Sequence, residues 1–102
     1  HVDDLAAACV FLLESYDGDI PLNVGCGVDV TIKELAETVA RVVEFQGSIE
    51  WDSSKPDGTP QKLLDTSRIN QLGWFPTISL EDGIRNTYTW FLEKVITKDI
   101  RY

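Results

Sequence analysis

The chain has 102 residues, 43% hydrophobic and 25% charged, the proportions of one folded domain with a modest core and not of a disordered segment. Seventeen acidic against nine basic residues leave a net charge of −8, a field that opposes nucleic acid and anionic membrane surfaces and any phosphate-bearing ligand without its own cluster of cations. No apolar run reaches the length of a membrane span and no signal peptide heads the chain, so a cytoplasmic protein is expected.

From Leu5 the apolar residues recur as Leu5, Ala8, Cys9, Leu12, Leu13 and Tyr16, which is helical spacing. Asp3 and Asp4 stand at its start as carboxylates suited to the positive end of the helix dipole, and Asp17-Gly18-Asp19 ends it. Cys9 falls on the apolar side and reads as core. Cys9 and Cys26 make no CxxC pair, and reduced thiols are expected of them.

Ile20 to Val24 reads as a short buried strand, with Pro21 at its start or on an edge. Gly25-Cys26-Gly27 follows it and precedes a helix, which invites a dinucleotide fingerprint. The third glycine of that motif would fall at Val30, and Asp29 carries the wrong sign for a pyrophosphate. A tight turn explains both glycines more simply. Thr31-Ile-Lys-Glu34 is a capping box opening a helix with Ile32, Leu35, Ala36, Val39, Val42 and Val43 on one face, followed by Gly47. Ser48 to Trp51 alternates as a second strand.

Between Trp51 and the next helical signal runs a connector of about fourteen residues, the length at which a structureless loop in a compact domain is usually functional or disordered. Pro56 and Pro60 stiffen it, and Asp57-Gly58 between them reads as a tight turn. Lys55, Asp57, Thr59, Gln61 and Lys62 are thus polar groups on a braced span, with Lys55 and Lys62 able to counter the acidic field locally. Composition alone reads the same span as a solvated connector.

Asp65 or Thr66 can cap a short helix holding Ile69 and Leu72, stopped by Gly73. Ser79-Leu-Glu-Asp82 is another capping box, and Leu80, Ile84, Thr87, Tyr88, Phe91, Leu92 and Val95 form a stripe expected to be fully packed. Trp90 lies off that stripe. A core position is the simpler reading for it, and an exposed one would mark a contact surface. Strands alternating with helices give an α/β class: helix-rich, with two short, parallel strands. Two strands make a poor sheet alone.

Chemistry-bearing motifs are scarce. There is no nucleophile elbow and no Walker loop, His1 is the only histidine, and no tyrosine has a lysine four residues on. No catalytic, cofactor-binding or metal residue is assigned. The aromatics Trp51, Trp74, Phe75, Tyr88, Trp90 and Phe91 lack the interleaved basic residues of a nucleic-acid platform.

His1-Val-Asp-Asp-Leu-Ala6, Asn23-Val-Gly-Cys-Gly27 and Thr31-Ile-Lys-Glu-Leu-Ala36 together resemble the C-terminal portion of extended short-chain dehydrogenases acting on nucleotide sugars. Trp51 to Asp65, with Leu72-Gly-Trp74, Ser79-Leu-Glu81 and Thr89-Trp-Phe-Leu92, is similar to the GDP-L-fucose synthase family, NADP-dependent epimerase/reductases of GDP-4-keto-6-deoxy-mannose. The resemblance runs from His1 to about Lys94. It implies that residues 1–47 end a Rossmann-type portion and residues 48–102 form a substrate-binding portion. It also implies that Asp57 binds substrate, that Lys62 sits near the GDP diphosphate, and that Lys55, Gly58 and Thr59 shape the loop. Gln61 departs from the basic residue often found at its position. The family's cofactor fingerprint and its catalytic serine, tyrosine, lysine, cysteine and histidine lie upstream of the matching region. The chain is therefore expected to behave as a fragment, inactive alone, without cofactor of its own and binding GDP-sugar weakly or not at all. The alternative is an acidic interaction module that self-associates, most simply as a homodimer.

Overall fold

The computed structural model describes residues 1–97. Four helices form: α1 (Val2–Ser15), α2 (Ile32–Val42), α3 (Ser67–Gln71) and α4 (Leu80–Thr97). The helix-rich reading holds, and the capping signals place three of the helix boundaries. At α2 the box closes in both directions: the Thr31 hydroxyl accepts from Glu34 N at 3.1 Å, and the Glu34 carboxylate accepts from Thr31 N at 2.8 Å. Ser79 Oγ accepts from Asp82 N at 3.1 Å ahead of α4. Thr66 holds the N-cap position of α3 without a side-chain bond, and the Asp65 carboxylate one residue earlier accepts from Ser67 N at 2.9 Å. Gly73, at φ 104°, ends α3 as expected, with Trp74 N donating to Ile69 O and Gly73 N to Asn70 O.

The expected pair of parallel strands does not form. Among the described residues there is no strand, and no backbone–backbone hydrogen bond joins residues 20–24 to 48–51. An extended segment becomes a strand only when a neighbour completes its ladder, and neither segment supplies that for the other. The first is tied instead by a side chain, Asn23 Nδ2 donating to Asp65 O at 3.1 Å. The α/β class read from alternation is thus corrected to an all-helical arrangement with long extended connections.

The buried cluster is small: Ala8 of α1, Ile69 of α3 and Trp74, with Phe11, Leu12 and Val24 packed against it. Cys9, expected beside Ala8, is exposed, one position round the helix from the buried face. Helix α2 packs on α4, where Glu81 bridges Arg41 of α2 and Arg85 of its own helix, each at 2.8 Å. The α4 stripe is not fully packed, since Leu80, Phe91, Leu92 and Val95 are all exposed. Trp90 is 56% exposed, against the core reading. No helix among the described residues is long and apolar enough to cross a membrane.

Candidate functional site

The loop leaves Trp51 through an Asx turn. The Asp52 carboxylate accepts from both the hydroxyl and the backbone N–H of Ser54, and the same bonds hold its pKa below the usual aspartate value. The turn therefore sits at Ser53-Ser54 rather than at Asp57-Gly58, which runs open, and Gly58 has no positive φ. Lys55, Asp57, Gly58, Thr59 and Lys62 are all exposed. Neither the two lysines nor Asp57 makes an ion pair or hydrogen bond among the described residues.

Lys62 lines a hollow of about 150 Å³, shared by Lys62-Leu63-Leu64 and the turn Gly25 to Asp29. The glycines that line it with the lysine lie close against Thr66. A Cβ at Gly25 would lie 3.4 Å from Thr66 Cγ2, and one at Gly27, whose φ is +72°, 3.0 Å from Thr66 Oγ1. The simple-turn reading of both glycines acquires a cause here: close approach to a buried threonine and one left-handed residue. Asp57, Lys55, Gly58 and Thr59 do not line the hollows beside the start of α1 or beside Pro76–Leu80.

Two larger hollows flank the connector from Trp74 to Leu80. One, of about 460 Å³, opens between the start of α1, the Val24-Gly25-Cys26 segment and Trp74. The other, of about 480 Å³, lies between Cys26–Val30 and Pro76–Leu80. What fixes the connector between them is Asp4. Its carboxylate accepts from Thr77 N and Thr77 Oγ1, each at 3.1 Å, and from Ile78 N at 2.9 Å. Those bonds, from Ile78 first and then Thr77, hold the Asp4 pKa below the ordinary aspartate value. Reading Asp4 as a helix-start carboxylate misses this role, for which the sequence carries no local signal.

The Gly25–Gly27 turn is occupied with the protein's own contacts. Its glycines serve the Thr66 contact, and the α2 N-terminus that would face a pyrophosphate is closed by Thr31 and the Glu34 carboxylate.

No family model matches the chain. Individual proteins do. It is 55% identical over 98 residues to GDP-L-fucose synthase 1 of Arabidopsis thaliana, covering 96% of this chain and 30% of that protein. The GDP-L-fucose synthase of Escherichia coli is 52% identical over 102 residues, covering 91% and 32% respectively. A GDP-mannoheptose C4 reductase from Campylobacter jejuni, solved with NADP bound, superposes with a TM-score of 0.79 at 36% identity over 90% of this chain and 30% of that one. The chain thus spans only about 30% of the length of these relatives. Along the part that it spans, the chain's relatives are GDP-L-fucose synthases, at 52–55% identity in these two plant and bacterial proteins.

Proposed function

We propose that this chain is the nucleotide-sugar-binding portion of an NADP-dependent epimerase/reductase acting on GDP-4-keto-6-deoxy-mannose or a near relative of it. Residues 48–102 form its substrate side and residues 1–47 the end of a Rossmann-type portion. Lys62 meets the diphosphate, a role that suits a compact ammonium charge. Asp57 accepts substrate hydroxyls, while Lys55, Gly58 and Thr59 shape the loop around them. The observation that carries the reading is Lys62: an unpaired cation in a strongly acidic chain, lining a hollow within a sequence of which 91–96% aligns with GDP-L-fucose synthases. Chemistry at the sugar is assigned to no residue of this chain, and the hydride would come from NADPH held elsewhere.

Titration calorimetry with GDP-mannose and GDP-fucose, against UDP- and dTDP-sugars, tests the assignment. Weak, GDP-selective binding is expected, reduced about tenfold or more in Lys62→Ala, as for loss of a charge-assisted contact. Equal binding of all nucleotide sugars would remove the GDP assignment. Pure chain should not oxidise NADPH; turnover with contaminating enzyme excluded would place catalytic groups where this reading puts none.

A second reading is favoured by the exposed apolar residues, among them Leu13 at 86% and Ile96 at 81%. On it, the chain is an acidic interaction module that self-associates through those faces.

A further inference from the structure

In the sequence, Asp29 is only a carboxylate that spoils a cofactor motif. The structure puts it in different company. It lines the same hollow of about 150 Å³ as Lys62, though the two lie 33 positions apart in the chain. Neither side chain has an ion pair or hydrogen bond among the described residues, so two residues of opposite charge line one small space without being used on each other or on the protein. The space is too small for a whole nucleotide sugar, since ligand clefts for such molecules run to about 300 Å³ and more. It suits one ring. Leu63 and Leu64 supply apolar lining, and Gly25 and Gly27 supply backbone.

We infer that this hollow is a sugar-ring subsite in which the Asp29 carboxylate accepts hydrogen bonds from a pair of hydroxyls while Lys62 meets the phosphate attached to that ring. The inference rests on the nucleotide-sugar reading above and adds to it a residue from the turn, outside the proline-braced loop. A carboxylate with all its acceptor sites open matches a diol, which offers two O–H donors and no charge. The neighbouring ammonium offsets the repulsion that Asp29 would otherwise exert on the phosphate. The ring is either the ribose or the hexose of the ligand, and both present such hydroxyls.

The sign of one substitution separates this role from bulk electrostatics. Asp29→Asn removes a negative charge beside an anionic ligand, so repulsion alone predicts tighter binding. A carboxylate that holds hydroxyls predicts weaker binding, by about tenfold. Calorimetry on the chain would use pyrophosphate, GDP and GDP-mannose, with Asp29→Asn, Asp29→Glu, Lys62→Ala and, as a charge control away from the hollow, Asp17→Asn. Circular dichroism would establish that each variant is folded. Weakening of GDP-mannose by both Asp29 variants, with pyrophosphate unchanged or tighter and Asp17→Asn neutral, upholds the subsite. Equal weakening of GDP assigns the ring to ribose, and weakening of GDP-mannose alone assigns it to the hexose. Binding that is unchanged or tighter in Asp29→Asn, while Lys62→Ala still weakens all three, overturns the subsite and leaves the nucleotide-sugar reading standing. No binding of GDP or GDP-mannose by the unaltered chain overturns both.

Discussion

Asp3 and Asp4 are neighbours in the sequence and both sit in the first turn of α1, yet only one of them is occupied with the rest of the molecule. Asp3 is exposed beside the His1 imidazole, whereas Asp4 is buried and holds the backbone of Thr77 and Ile78. The folded state keeps the Asp4 pKa below 3.8, so these ties are fully present above that value and are lost as pH falls through the lower, folded one. Asp65, Glu34 and Glu81 are shifted in the same direction by their own partners, which gives acid sensitivity a common sign. We expect the amides of Thr77 and Ile78 to lose exchange protection in Asp4→Ala at neutral pH, and in the unaltered chain only below the usual aspartate range. Protection that is unchanged in Asp4→Ala would show that packing alone fixes the connector. Local pairs such as Thr31 and Glu34, three residues apart, are legible because the helix dictates their spacing. Asp4 and Ile78 lie 74 positions apart, and nothing in a sequence window links them.

Helix α2 shows what can be read at the next scale and what cannot. Its apolar period and N-terminal box are local, and both appear where expected. Gly47 is the exit that composition suggests, but the chain turns earlier, at Glu44, whose φ is +55°. There Phe45 N donates to Ala40 O and Glu44 N to Arg41 O, an ending that glycine usually serves. A non-glycine residue in this conformation carries a cost of about 1–2 kcal/mol. The two ends should therefore respond in opposite directions. Thr31→Ala should destabilise by about 1 kcal/mol, and Glu44→Gly should stabilise by a similar amount. Urea melts of the two variants against the parent check both signs, and a destabilised Glu44→Gly would contradict the strained exit. Strands escape the same reasoning because alternation describes one edge of a ladder and says nothing of the other. The α4 stripe fails likewise: its periodicity gives Leu80, Phe91 and Val95 one side of a helix, but leaves open what covers them.

The whole molecule carries more surface than its size requires. It exposes 8571 Å², where a folded monomer of its mass exposes about 5,800 Å². Its radius of gyration is 17.2 Å, against about 13 Å for a compact chain of this length. The difference in area is of the order that obligate interfaces bury, and residues such as Leu13, Trp90 and Ile96 place apolar side chains on it. Burial of that surface and the charge of −8 act against each other. At physiological salt, charges more than about 8 Å apart are largely screened, while apolar burial keeps its full weight, so association should win and should strengthen as salt rises. Sedimentation at micromolar concentrations should show a weight-average mass above the monomer, increasing with protein concentration and between about 0.15 M and 0.5 M salt, as screening deepens over that range. Leu13→Ser and Trp90→Ser leave the charge unchanged and should return the chain toward monomer. A clean monomer under all these conditions would mean that the extended connections close over the apolar faces in solution, and the interaction-module reading would lose its support, whereas the Lys62 and Asp29 assignments depend only on the local turn and loop and would still be testable.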